Sequence, residues 1–338
     1  MSEVSIQQGV GLTVSRIRRS PELIRAFVIA AIMYGYFAFR EPGFATVNNM
    51  FTIVEGLVFL GLAALAFGLT MIAGELDLSV PATATVAGVF ALKFTDTILE
   101  GLLVGIAIGL AIGLLQGLLV WAVRLHSVVI TLGTSTALIG VSKIVSGNAT
   151  IVSKDLELSD QISHRIFIFS PASLLAILFF IICGLGLTHT RYGAEIRAIG
   201  GGRNEALAAG VPLWRPTIVV FGSSGFLSGM LGVLVSISVG SVNPISFNNV
   251  LLAAVGAALI GGVSLYGGRG TALGIAVGTL TLRFVISGMN LGGNKWFVIN
   301  MAIGVLLLFV VALDLATSRG VFRRIMSSGR EAKEPSVV

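Results

Sequence analysis

The chain has 338 residues, 55% of them hydrophobic and only 11% Asp, Glu, Lys or Arg, where a soluble globular domain carries ~25% charged residues. With a mean hydropathy of +0.97 it lacks the polar surface a water-soluble fold of this size needs, so an ordinary cytoplasmic enzyme is excluded and a polytopic membrane protein is predicted. The 22 basic and 16 acidic residues leave a net charge of +6, which in a membrane chain reports topology before any polyanionic partner, and no nucleic-acid partner is implied.

A spanning helix needs ~20 mostly apolar residues. Cutting the chain at its charges and turn residues predicts ten segments, in order 23–39, 51–73, 78–95, 101–122, 127–147, 171–189, 216–238, 250–266, 271–289 and 296–314. The uncharged stretch from Pro216 to Gly268 is too long for one span, and its break is placed at Gly240-Ser241-Val242-Asn243-Pro244 with Asn248-Asn249, which turns more readily than it continues a helix. With the N-terminus inside, fifteen Lys and Arg residues fall on the cytoplasmic side, five outside (Arg40, Lys93, Lys154, Arg165, Lys295), and Lys143 and Arg283 within spans. That threefold bias follows the positive-inside rule. The expected fold is therefore all-α and polytopic, with about ten transmembrane helices and both termini cytoplasmic. It divides into an N-terminal tail over 1–22, a membrane domain over 23–315 with a cytoplasmic loop at 190–215, and a C-terminal tail over 316–338. No small-residue cleavage site precedes Arg40, so the first span is expected to be its own insertion signal.

Several chemistries are missing. No Gly-Lys dipeptide occurs, which excludes a P-loop. His126, His164 and His189 lack the four-residue spacing of a helical metal site, and Cys183, the single cysteine, sits inside an expected span, so neither a metal nor a cofactor is expected. No Ser, His and acid constellation stands out within the spans. Glycine, at 43 residues, is nearly twice as frequent as the usual ~7%. It falls at small-xxx-small spacing in Gly105-Gly109-Gly113-Gly117 and Gly270-Gly274-Gly278, a pattern that lets helix backbones approach closely.

The most unusual stretch runs from Arg191 through Glu195, Arg197, Gly200-Gly201-Gly202, Arg203, Asn204, Glu205 and Ala206 to Gly210. Asn204 can cap a short helix over 205–209, with Glu205 at its positive end and Gly210 as its stop. Such a helix is either a docking element for a partner protein or a solvated connection that tolerates charge. A nucleotide cradle at the three glycines is disfavoured, because no strand precedes them.

This stretch resembles the Glu-Ala-x-x-x-Gly coupling segment of ATP-binding cassette (ABC) importer permeases, in the version found in ribose-type monosaccharide permeases. Three further matches follow the order of that family: Gly74-Glu75-Leu76-Asp77-Leu78-Ser79-Val80, Val129-Ile130-Thr131-Leu132-Gly133-Thr134, and Ile260-Gly261-Gly262-Val263-Ser264-Leu265-Tyr266-Gly267-Gly268-Arg269-Gly270-Thr271. The resemblance implies a permease without enzymatic activity of its own in the bacterial inner membrane, paired with an identical or paralogous permease. Its implied partners are two cytoplasmic ATPase subunits, which hydrolyse the ATP, and a periplasmic sugar-binding protein. It also implies that Arg191, Glu195, Arg197, Asn204, Glu205, Ala206 and Gly210 form the ATPase-coupling element. Two positions depart from the family: Glu75 stands where glycine is usual, and Pro81 replaces the second glycine of that motif. A helix entrance survives at Pro81, with Asp77 or Ser79 as its cap.

Candidate residues for a translocation path are Asp77, Ser79, Thr131, Ser223 and Arg283. For Asp77 the alternative is a plain helix cap. Arg283 either snorkels to the outer interface or faces the bundle, where Glu55 is a candidate partner. Scattered Thr70, Thr83, Thr85, Gln116, Ser224 and Asn300 suit a polar neutral solute. The likeness between Ile72–Ser79 and Ile260–Leu265 is short enough to be chance. A branched-chain amino acid or nucleoside permease, an ATP-independent secondary transporter and an intramembrane enzyme are the competing readings.

Overall fold

The computed structural model describes residues 21–123 and 125–312. Apart from Pro21 and Glu22, the tails expected at 1–22 and 316–338 lie outside these residues. The first helix, α1, is Pro21–Arg40, opened by a proline where a helix has no N–H to satisfy. Next, α2 spans Val47–Ile72 and contains a π-helical turn at Leu57–Gly61. It is followed by α3 (Val80–Phe94), α4 (Ile98–Val123) and α5 (Ser127–Ser146). A short strand β1 (Ile151–Val152) and helix α6 (Glu157–Ser163) lead into α7 (Pro171–His189). Two amphipathic pieces, α8 (Arg191–Gly201) and α9 (Arg203–Ala208), precede α10 (Trp214–Val239). Then come β2 (Ser241–Val242), α11 (Val250–Ile260), α12 (Ala272–Leu291) and α13 (Trp296–Ala312).

Among the described residues, seven helices are long and apolar enough to cross a membrane, and three more (α3, α11 and α13) are apolar but shorter. Each of the ten expected segments coincides with one of these. The main correction is in length. The segment expected at 250–266 is helical only to Ile260, which at ~1.5 Å per residue reaches about half of a ~30 Å hydrocarbon core. The segment expected from 78 begins at Val80. The break between α10 and α11 falls where expected, with Gly240 in the left-handed region (φ 71°) as the stop and β2 pairing antiparallel with β1.

Of the seven long helices, α2, α10 and α12 are buried over most of their length, as are the shorter α3 and α11, whereas α1, α4, α5 and α7 are buried over less than a third. The glycine stripes explain how the buried ones pack. A Cβ at Gly109 would lie 2.1 Å from the carbonyl oxygen of Gly225, and one at Gly225 would lie 2.1 Å from that of Gly109. The α4 and α10 backbones therefore touch, running antiparallel from Gly105 against Gly229 to Gly113 against Phe221. The second stripe seats α12 on α11 in the same way, Gly274 against Gly261 and Gly278 against Ala257.

The two turns whose likeness reads as chance in the sequence close with the same hydrogen bonds. At the end of α2, Gly74 (φ 76°) donates to the Met71 carbonyl and Glu75 to Thr70; at the end of α11, Gly262 (φ 85°) donates to Leu259 and Val263 to Ala258. Both are Schellman stops that need a left-handed residue. Both connections meet α8, as described next.

Candidate functional site

The α2–α3 connection, residues 73–79, is the centre of a buried polar network. Its backbone is held by the first turns of α5: Leu76 N–H donates to Ser127 Oγ at 3.0 Å and Leu78 N–H to Thr131 Oγ1 at 3.1 Å. Asp77 is 1% exposed. Its Oδ1 accepts from the Ser79 N–H (3.0 Å) and Ser79 Oγ (2.6 Å), and its Oδ2 accepts from Ser224 Oγ on α10 at 2.6 Å. Gln116 on α4 donates to Ser79 Oγ at 2.7 Å. A carboxylate accepts only, and three donors at these distances meet it, with the positive end of α3 alongside. Among the described residues no cation forms an ion pair with it. Ser79 takes the N-cap position of α3, one of the two expected, but its hydroxyl is turned back onto Asp77 and no side-chain cap bond forms.

The five path candidates do not form one constellation. Asp77, Ser79 and Thr131 lie together, joined by Gln116 and Ser224, which the sequence offers only as scattered polar residues, and by Ser127. Ser223 instead lines an apolar groove between α4, α7 and α10 with Leu110, Cys183 and Phe226. Arg283 belongs to the other end of the bundle. Its Nη2 donates to the Thr52 carbonyl at 2.9 Å and its side chain crosses α2 at Gly56, where a Cβ would lie 1.9 Å from Nε. Thus it turns onto the bundle. Glu55 beside it accepts from Ser170 Oγ at 2.5 Å and interacts electrostatically with Arg283.

Directly beneath the Asp77 connection lies the charged stretch 190–215. Thr190 caps α8 by accepting from Gly193 N–H, Arg191 Nε pairs with Glu195 Oε1 at 2.9 Å, and Arg197 Nη1 donates to the Leu187 carbonyl at the end of α7 at 2.7 Å. The short helix after it starts two residues earlier than expected, at Arg203. Gly202 takes the N-cap position, Asn204 is already helical, and the Glu205 carboxylate folds back over Gly202. Gly210, at φ 81°, is the expected stop: it donates to Leu207 and Val211 to Ala206. Ala206 is buried, while Asn204, Glu205, Leu207 and Gly210 are exposed.

Glycine decides how α8 and α9 touch the two connections. A Cβ at Gly200 would lie 2.0 Å from the Ile72 carbonyl oxygen and 2.5 Å from Gly268 N, and one at Gly267 would lie 2.8 Å from Gly74 Cα. The Gly268 N–H donates to the Ile72 carbonyl at 2.8 Å. The end of α8 is thus wedged between the 73–79 and 261–271 connections with no side chain between the backbones. One ion pair spans the same junction, Arg203 of α9 to Glu75 at 2.8 Å, with the Glu75 side chain 9% exposed and the Arg203 side chain 45%. Glu75, one of the two residues that depart from the family pattern, is therefore the one that ties α9 to the segment carrying Asp77.

Residues 49–312 match the family described as "Branched-chain amino acid transport system / permease component". The chain belongs to this family. It is a multi-pass transport permease component rather than an enzyme. It is 30% identical over 318 residues, 93% of this chain and 96% of the relative, to the probable ABC transporter permease protein YphD of Escherichia coli K12. It is 31% identical over 291 residues, 85% of this chain and 88% of the relative, to the L-arabinose transport system permease protein AraH of the same strain. It is 30% identical over 281 residues, 81% of this chain and 87% of the relative, to the ribose import permease protein RbsC of Bacillus subtilis 168. No solved structure matches at a significant level.

Proposed function

We propose that this permease is the membrane subunit of an ABC importer of the bacterial inner membrane, carrying a monosaccharide or similar small polar solute. In this reading ten segments cross or enter the membrane, both termini are cytoplasmic, and the subunit pairs with a second copy or a paralogue around the solute path. Cytoplasmic ATPase subunits dock on α9, and a periplasmic sugar-binding protein delivers the solute to the opposite face. The sugar assignment rests on relatives named for arabinose, ribose and allose transport. The family description points to branched-chain amino acids as the second reading.

The observation that carries the mechanism is the junction at α9. A short helix with Asn204, Glu205, Leu207 and Gly210 exposed is joined by the Arg203–Glu75 pair and the Gly200 wedge to the connection that holds Asp77. Displacement of α9 by closing ATPases shifts Glu75 and Gly74, and with them the backbone clamped by Ser127 and Thr131. Rigid helices transmit such a shift because the α4–α10 and α11–α12 seams have no side-chain layer to absorb it. Replacing Glu205 by Ala, and separately Gly210 by Ala, which is strained at φ 81°, is expected to reduce both ATPase co-purification and solute uptake. Wild-type levels of both in each variant would overturn the docking assignment.

A further inference from the structure

The connection from α11 to α12 is a closed turn with an apolar apex. At Ser264-Leu265-Tyr266-Gly267 the Gly267 N–H donates to the Ser264 carbonyl at 3.2 Å and the Tyr266 N–H to Ser264 Oγ at 3.2 Å, while the Ser264 N–H closes the loop on the Arg269 carbonyl at 3.1 Å. Gly267 and Gly268 lie in the left-handed region, at φ 81° and 74°, which glycine enters at no steric cost. Val263 and Ser264 are buried at the base of the turn, whereas Leu265 is 43% and Tyr266 69% exposed at its apex. The same turn is packed on the end of α8: a Cβ at Gly267 would lie 2.6 Å from the Gly200 carbonyl oxygen, and one at Gly268 would lie 2.8 Å from Gly201 Cα. Two residues past that contact α9 begins at Arg203, and it exposes Leu207 beside Asn204 and Glu205. Two large apolar side chains therefore stand on a fixed backbone, at the same junction and the same end of the bundle as α9.

We propose that Leu265 and Tyr266 are a second contact for the ATPase subunit that docks on α9, with the tyrosine ring filling an apolar pocket on that subunit. The proposal rests on the docking reading given above and adds a second point of attachment to it. The apex is continuous with the α9 surface, and an exposed carboxylate and amide next to an apolar pair suit a protein surface better than lipid, where a charged group is costly. An aromatic anchor with a polar surround is also the usual make-up of a tightly held protein contact. The two points grip different arms of the bundle. The Arg203–Glu75 pair ties α9 to the α2–α3 connection, while the Tyr266 turn runs directly into α11 and α12, whose backbones touch at Gly261 and Gly274. One displacement of the ATPase would thus reach both arms, with the end of α8 wedged between them.

The test is photocrosslinking in cells, with Tyr266 replaced by p-benzoylphenylalanine in one version of the full chain and Leu207 in another. The expected product at both positions is an adduct with a partner whose peptides include a Gly-Lys P-loop. In the purified assembly, Tyr266→Ala is expected to weaken ATPase binding about tenfold, the scale of an aromatic anchor at an interface. Tyr266→Phe should keep wild-type binding, because the ring and not the hydroxyl fills the pocket. The side chain is 69% exposed, so both variants should unfold at the wild-type midpoint. An adduct at position 266 with lipid alone or with a second copy of this chain, or wild-type ATPase binding by Tyr266→Ala, would overturn the proposal. The two crosslinking positions separate it from the docking reading. An ATPase adduct at 207 with none at 266 removes the second contact and leaves the docking on α9 standing. An ATPase adduct at 266 with none at 207 does the reverse, and none at either position removes both.

Discussion

The Arg203–Glu75 pair can be tested by a double-mutant cycle of Glu75→Gln, Arg203→Gln and the double variant. The two removals are not equivalent. Glu75 is nine-tenths buried and the Arg203 side chain is 45% exposed, so Glu75→Gln leaves an arginine that can turn to water, while Arg203→Gln leaves an uncompensated carboxylate against the α8–α9 junction. Glu75→Gln should therefore cost about 1 kcal/mol and Arg203→Gln about 2–3 kcal/mol, below the value for a fully buried pair because half of the arginine is solvent-screened. The coupling energy should be about 0.5–1.5 kcal/mol and should shrink at high salt. Unfolding midpoints of the four proteins in one detergent measure the costs, and solute transported per ATP in the assembled importer measures the functional link. Equal costs for the two single variants, or no coupling between them, would refute the assignment of the pair as the link between α9 and the Asp77 segment. Loss of stability with transport per ATP unchanged would make the pair purely structural.

At the network itself, Asp77→Asn keeps one acceptor for Ser79, and the Ser224 hydroxyl can rotate to accept from the new amide, so a cost of about 1–2 kcal/mol is expected; Asp77→Leu strands several buried donors and should cost about 3–4 kcal/mol. Thermal unfolding of the two variants checks the order, and equal costs would contradict the hydrogen-bond assignment. Gly225→Ala places a Cβ 2.1 Å from the backbone of Gly109 and should destabilise the subunit by about 1–3 kcal/mol. Gly140→Ala on α5 meets nothing within 4 Å and should leave the subunit's unfolding midpoint unchanged or slightly higher. The same measurement separates them, and similar behaviour of the two would undo the account of the α4–α10 seam.

Much of this was legible in the sequence because it is local. Apolar length located the ten apolar helices among the described residues, Gly240 marks the stop of α10, and the charge-bearing stretch at 203–210 holds a short helix stopped by Gly210. Residues whose role depends on distant partners were not legible. Two adjacent serines, Ser223 and Ser224, look equivalent in a helix apolar on nearly every side, and only the packing of α10 turns Ser224 toward Asp77 and Ser223 toward an apolar groove. Periodicity carries no such information where several faces are buried. Glu75 stands out in the sequence only as a departure from the usual glycine, and its partner lies 128 positions away. The Gly200 to Gly202 run reads as a loop, whereas Gly200 closes a helix whose backbone approaches two others. The 250–266 segment was overestimated because hydropathy continues past Ile260, where Gly261 and Gly262 end the helix.

The central claim is that this chain moves a solute only as part of an ATP-driven assembly coupled through α9. Its most direct test is uptake of radiolabelled monosaccharide into proteoliposomes containing the chain with the ATPase subunits and soluble binding protein that co-purify with it. The account predicts uptake that requires ATP, the ATPase and the binding protein, and that falls in Glu205→Ala with the membrane subunit still folded. Uptake by the chain alone, driven by an ion gradient and indifferent to Glu205, would contradict it.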